Sequence, residues 1–192
     1  KMTYGEIGAW LDENGVEPNE FSDVSGLREQ ILIQQKAAKR LIDFRQKRGS
    51  LEFETIESVP VFDGEQTKDL QIVKTNSARK IIENFMVAAN VEMAEFLEEN
   101  SLMCIRRIVK TPARWERIRE IAQKYGDSLL AEPDSNSLAE FLKKRKLADS
   151  EHFPGLALSI IKLSGAGEYV VQKPSEVADG HFGLALRDYT HS

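Results

Sequence analysis

The chain has 192 residues and is 41% hydrophobic and 30% charged, which suits one ordinary globular domain or most of one. No apolar run approaches the roughly 18 residues of a membrane span, and the first fifteen residues lack the apolar core and cleavage site of a signal peptide. A net charge of −5 excludes a generally basic nucleic-acid binder.

Thr3-Tyr4-Gly5-Glu6 has the spacing of a capping box, so a short helix is predicted from there to about Gly15. Residues 18–23 read as a connector. A long helix is predicted over 25–47, with Leu27, Ile31, Ala38, Leu41 and Ile42 as its apolar stripe and Gly49 as its stop. The stretch 51–62 alternates loosely between apolar and acidic residues. It reads as a strand, followed by a turn at Asp63-Gly64 and a second strand over 70–74.

The strongest helical signal runs over 77–100. Ile82, Phe85, Met86, Ala89, Met93, Phe96 and Leu97 form one broad apolar face, and Glu83, Val87, Asn90 and Ala94 form a neighbouring stripe. That pattern puts a carboxylate and an amide two turns apart on a helix expected to be mostly buried. A strand is predicted over 103–109. Thr111-Pro112 then reads as the start of a helix that ends near Gly126. Helices over 136–146 and 154–163 follow, and then strands over 168–172 and 182–186. The fold class is mixed α+β, with helices packed on a mostly antiparallel sheet. There is no internal repeat.

Few residues carry chemistry by themselves. Cys104, the only cysteine, sits in an apolar run and reads as a buried structural thiol, which fits a reducing cytoplasm. His152, His181 and His191 have no zinc-motif spacing, and Gly165-Ala166-Gly167 is not a phosphate loop. Glu98-Glu99 reads as a solvated helix end. Two segments are basic, one between Arg28 and Arg48 and the other between Arg106 and Arg119. Each is either a solvated helix face or a phosphate-tracking wall in an otherwise acidic shell.

Three segments carry a resemblance. Phe44-Arg45-Gln46-Lys47-Arg48-Gly49-Ser50-Leu51-Glu52-Phe53 is similar to the helix-to-strand junction of the ribonuclease II/ribonuclease R family. Ile82-Glu83-Asn84-Phe85-Met86-Val87-Ala88-Ala89-Asn90 resembles the family's Ile-Glu-Glu-x-Met-x-x-Ala-Asn helix. Gly180-His181-Phe182-Gly183-Leu184-Ala185-Leu186, with Tyr189-Thr190-His191-Ser192, resembles the strand that precedes the family's Pro-x-Arg-Arg segment. The three occur in the family's order across about 150 residues. Arg107-Ile108-Val109-Lys110-Thr111-Pro112 departs from the family's Arg-x-His-x-x-Pro by placing Val109 at the histidine.

The resemblance implies that residues 1–192 are part of the family's catalytic domain, truncated at both ends. The opening on Lys1 rather than Met agrees with that. It implies a parent enzyme that degrades single-stranded RNA processively from the 3′ end to nucleoside 5′-monophosphates. Mg²⁺ would be held there by aspartates outside this chain, so no catalytic residue and no metal ligand is assigned here. The RNA-binding candidates it implies are Glu83 at the terminal ribose, Asn90, Arg45 and Arg48 at phosphates, Phe53 as a base clamp, and His181 beside the site. Each has a structural alternative: an ion-paired Glu, a hydrogen-bonded Asn, helix-closing arginines, a core Phe, a structural His. The implied partner is single-stranded RNA, with no DNA or membrane, in a cytoplasmic and monomeric parent. The alternative is a non-catalytic RNA-binding or scaffold module of the same fold.

Overall fold

The computed structural model describes residues 2–13, 15–53, 57–73, 75–174, 176–177 and 179–190. Its described residues form seven α-helices and two two-stranded antiparallel sheets, so the mixed α and β class holds. The chain divides into two compact units, Lys1–Arg40 with Glu54–Asn84 and Leu41–Phe53 with Phe85–Ser192.

In the first unit, α1 (Tyr4–Glu13) starts at the capping box the sequence announces. Thr3 N donates to Glu6 Oε2 at 2.9 Å, and Glu6 N donates to Thr3 Oγ1 at 3.2 Å. The expected connector contains one helical turn, α2 (Glu20–Asp23), because Phe21 is buried against Trp10 with ring centroids 4.8 Å apart. Ile7, Phe21 and Ile31 of α3 (Leu27–Gln46) pack with Ala78 of α4 (Ser77–Glu99). Asn76 Nδ2 donates to Tyr4 O at 2.8 Å, and Ser77 N donates to Asp12 Oδ2 at 2.8 Å, which ties α4 to α1.

The expected hairpin is β1 (Glu57–Asp63) and β2 (Gln66–Val73), turning at Gly64 with φ +65°. Its first strand begins later than 51, and Glu54, Thr55, Ile56 and Lys74 lie outside the described residues. Val59, Val61, Phe62 and Leu70 are all exposed, so the described part of the hairpin is not half-buried.

In the second unit, α5 (Trp115–Lys124), α6 (Ser135–Ala148) and α7 (Phe153–Ser164) enclose the main core. Ile118, Ala122, Leu138, Ala157 and Ile160 are all fully buried there. The i, i+3, i+7 spacing of Trp115, Ile118 and Ala122 aims one stripe inward. α5 starts later than Thr111-Pro112 implies: Pro112 forms a turn, its carbonyl accepting from Trp115 N at 3.2 Å. α6 is capped by Asp134, whose carboxylate accepts from Ser137 N at 2.6 Å. β3 (Cys104–Ile108) pairs antiparallel with β4 (Glu168–Gln172). Cys104 is free and buried, as a structural thiol.

The predicted buried face of α4 is corrected. Ile82, Met86, Met93 and Phe96 are 40–55% exposed, whereas Ala78, Ile81, Asn84, Val87, Asn90 and Ala94 are buried. Period 3.6 defined the stripes but not which one meets the rest of the chain. The predicted strand over 182–186 is also corrected. Phe182–Leu184 is a 3₁₀ turn, and the next residue, Ala185, is left-handed at φ 52°.

Candidate nucleic-acid interface

The residues of the third motif wrap around the end of β3. Val109 N donates to Gly180 O at 3.2 Å, and Phe182 N donates to Val109 O at 2.8 Å. His181 N donates to Leu186 O at 2.7 Å, closing the loop on itself. A Cβ on Gly180 would lie 2.5 Å from Leu186 O, so the closure requires glycine. Residues 188–190 then run along the second edge of β3. Arg107 N donates to Tyr189 O at 3.0 Å, and Thr190 Oγ1 donates to Ile105 O at 2.5 Å. His191 and Ser192 lie outside the described residues.

His181 caps the 3₁₀ turn: its Nδ1 accepts from Leu184 N at 3.1 Å. That acceptor role assigns the ring proton to Nε2. Burial, with a smaller contribution from the Arg107 charge, lowers the His181 pKa to about 4, so the ring is neutral at pH 7. Beside it lies a cavity of about 380 Å³, lined by Lys110, Thr111, Ser135, Asp179, His181 and Arg187 among others. Both cations at its rim have acidic partners: Lys110 Nζ lies 3.3 Å from Glu168, and Arg187 Nε lies 2.6 Å from Asp188. The lining offers hydrogen-bond donors of both charged and neutral kinds.

The first motif reaches the same loop. α3 ends with Ser50 N donating to Arg45 O at 3.0 Å and Gly49 N donating to Gln46 O at 3.0 Å. Gly49, at φ +86°, is the predicted stop, and a Cβ there would lie 2.7 Å from Asn136 N at the start of α6. Two residues on, Leu51 N donates to Gly183 O at 2.8 Å. The structure therefore brings the first and third motifs into direct contact. Arg45 is partly buried, and the exposed Arg48 guanidinium sits 4.3 Å from the Phe44 ring centroid. Phe53 is not on a strand; it packs partly buried against the α5–α7 core.

α4 carries the second motif. Glu83 is exposed, and Asn90, two turns along the helix, is 5% exposed. Asn90 Nδ2 has no hydrogen-bond partner among the described residues. Glu83 belongs to the first unit and the other candidates to the second.

Sequence reasoning missed Arg106. It is 1% exposed, its Nη1 donates to Asp188 Oδ1 at 2.8 Å, and its Nη2 donates to Glu98 Oε2 at 3.0 Å. Glu98 is thus a partner of a buried guanidinium, not merely a solvated helix end. The signal was available: Cys104, Arg106 and Ile108 alternate on one face of β3, and that face is inward.

The RNB domain family matches residues 1–192, the full length of the chain. The chain belongs to the RNB domain family. It is 26% identical to ribonuclease R of Vibrio parahaemolyticus over 196 residues, covering 100% of this chain and 22% of the relative. It is 28% identical to ribonuclease R 1 of Lactococcus lactis over 200 residues, covering 100% of this chain and 23% of that protein. The solved apo form of Mycoplasma genitalium ribonuclease R superposes with a TM-score of 0.81 at 20% identity, covering 98% of this chain and 29% of that one. This likeness establishes the fold. The chain spans about a quarter of the length of these relatives.

Among the described residues of this RNB chain, no three His, Cys, Asp or Glu side chains are grouped to hold a metal ion. No helix among the described residues is long and apolar enough to cross a membrane. The second basic segment is largely engaged within the fold. Besides Arg106, Arg117 pairs with Glu120 at 2.8 Å and Arg119 with Glu116 at 2.7 Å. These i,i+3 pairs partly offset the positive charge of α5.

Proposed function

We propose that this chain is the RNA-holding part of a hydrolytic exoribonuclease that degrades single-stranded RNA processively, 3′ to 5′, to nucleoside 5′-monophosphates. The observation that carries the reading is the family match across the whole chain, combined with the Leu51–Gly183 contact that joins two family-like motifs. Support comes from the fold neighbour from Mycoplasma genitalium, which has been solved with ribose-methylated single-stranded RNA and with double-stranded RNA.

In this reading Glu83 accepts from the 2′-hydroxyl of the terminal nucleotide, a contact that separates RNA from DNA. Arg45 and Arg48 contact phosphates, and the accessible part of Phe53 contacts a base. Asn90 holds the helix in place, and His181 shapes the loop between β3 and the first motif. The magnesium ligands belong to the parent outside this chain, and the 192-residue chain binds RNA without cutting it. The parent acts as a cytoplasmic monomer on RNA, not DNA.

The test uses the parent enzyme. End-labelled single-stranded RNA should yield 5′-monophosphates, and Glu83→Ala should relax the preference for RNA over DNA. An unchanged preference rejects the role of Glu83. A parent that binds RNA but releases no mononucleotide supports instead a non-catalytic RNA-binding module.

A further inference from the structure

One face of the β3–β4 pair is turned outward and carries an aromatic side chain with a cation held against it. Antiparallel pairing sets Ile105 opposite Val171 and Arg107 opposite Tyr169. Alternation puts these four on one face, while Cys104, Arg106 and Ile108 point inward. Tyr169 is 58% exposed, with Ile105 and Val171 exposed beside it, and Met103 continues the same row.

Arg107 and Tyr169 are paired across the strands. Arg107 Nη1 donates to the Tyr169 hydroxyl at 3.1 Å, and its Cζ lies 5.5 Å from the ring centroid. Gly167 leaves room for this: a Cβ there would lie 3.4 Å from Arg107 Nε. Among the described residues Arg107 has no carboxylate partner, and the neighbouring Glu168 is matched by Lys110. The outward row therefore presents one cation and no unmatched acid. An exposed aromatic ring with a guanidinium beside it offers a flat π surface next to a positive charge. Such surfaces hold unpaired bases by stacking, with the cation beside the phosphodiester.

We propose that the Tyr169–Arg107 pair, extended by Ile105 and Val171, is a base-stacking platform for single-stranded RNA. This rests on the RNA-holding reading above and adds a site outside the residues that reading uses. Stacking needs no particular base, so the platform is tolerant of sequence, and duplex RNA, whose bases are already stacked, gains nothing from it.

The experiment measures fluorescence anisotropy of labelled single-stranded oligoadenylate with the full 192-residue chain at several salt concentrations. Tyr169→Ala should weaken binding on the order of tenfold with an unchanged salt slope, and Tyr169→Trp should retain it. Arg107→Gln should lower the salt slope by about one phosphate contact. On an oligonucleotide of abasic residues, wild type and Tyr169→Ala should bind alike. Wild-type binding with Tyr169→Ala undiminished overturns the platform while leaving the RNA-holding reading standing. No binding by the wild type at low salt overturns both.

Concentration-dependent self-association that Tyr169→Ala abolishes, with RNA affinity unchanged, assigns the face to protein and overturns the proposal. If Tyr169→Ala does not fold, photo-crosslinking of 4-thiouridine RNA to the wild type decides. Adducts on the peptide containing Tyr169 support the platform, and adducts confined elsewhere overturn it.

Discussion

Removal of Arg106 should loosen the segment that carries the third motif. Arg106 is 1% exposed, and its Asp188 partner is 10% exposed. Losing one member of a buried pair costs about 3–5 kcal/mol, because the other charge stays in a poor solvent. Here Arg187 Nε, 2.6 Å from Asp188, remains as a partner on an 81% exposed side chain, and Glu98 is 44% exposed and can rehydrate. The lower end, about 3 kcal/mol, is therefore expected for Arg106→Met. For a chain of this size that corresponds to a fall in Tm of about 6–12 °C. Urea titration in a Trp10→Phe background leaves Trp115, in the second unit, as the only tryptophan reporter. The double variant Arg106→Met, Asp188→Leu should recover much of the loss, since both buried charges are then gone. A cost below about 1 kcal/mol for the single change, or simple additivity in the double, would refute this account of the network.

Gly49→Ala should cost about 1–3 kcal/mol, because a left-handed φ and a close approach to Asn136 N combine at one atom. The urea midpoint checks it, and a neutral result would mean that the start of α6 yields easily. His181 should make the fold pH-sensitive. Its pKa is about 4 in the fold and near the ordinary 6.5 in the unfolded chain, which therefore takes up a proton first as pH falls. Its contribution to stability is complete above pH 6.5 and is lost progressively as pH falls toward 4. Comparing wild type with His181→Gln at pH 7.5 and pH 4.5 should show the larger loss in the wild type; equal losses would contradict the assignment.

Much of the fold was legible because local signals and packing agreed. The Thr3–Glu6 capping box, the stop at Gly49 and the strand at Glu168–Gln172 each rest on neighbouring residues, and each is found in the structure. The readings that failed depended on distant partners. The outward stripe of α4 is as apolar as a core stripe, and only the positions of other elements decide which face is covered. Leu51 reads as a strand residue, yet its N–H is taken by Gly183, 132 residues away in sequence. His181 reads as a strand start, but its ring caps a 3₁₀ turn once Gly180 allows the loop to close on Leu186. For the candidate interface, the motifs named the segments. The inward side of Arg106 follows from the alternation along β3, but its carboxylate partners and the Arg107–Tyr169 pair became visible only when β3 was set between its two neighbours.

On the proposed reading, this RNB chain holds RNA and leaves the cutting to the rest of its parent. Its most direct test incubates the 192-residue chain with end-labelled single-stranded RNA and Mg²⁺, following anisotropy and product chromatography together. The account expects salt-sensitive binding and no released nucleoside 5′-monophosphate. Release of monophosphates, abolished by a chelator, would place the cutting chemistry within these residues and contradict it.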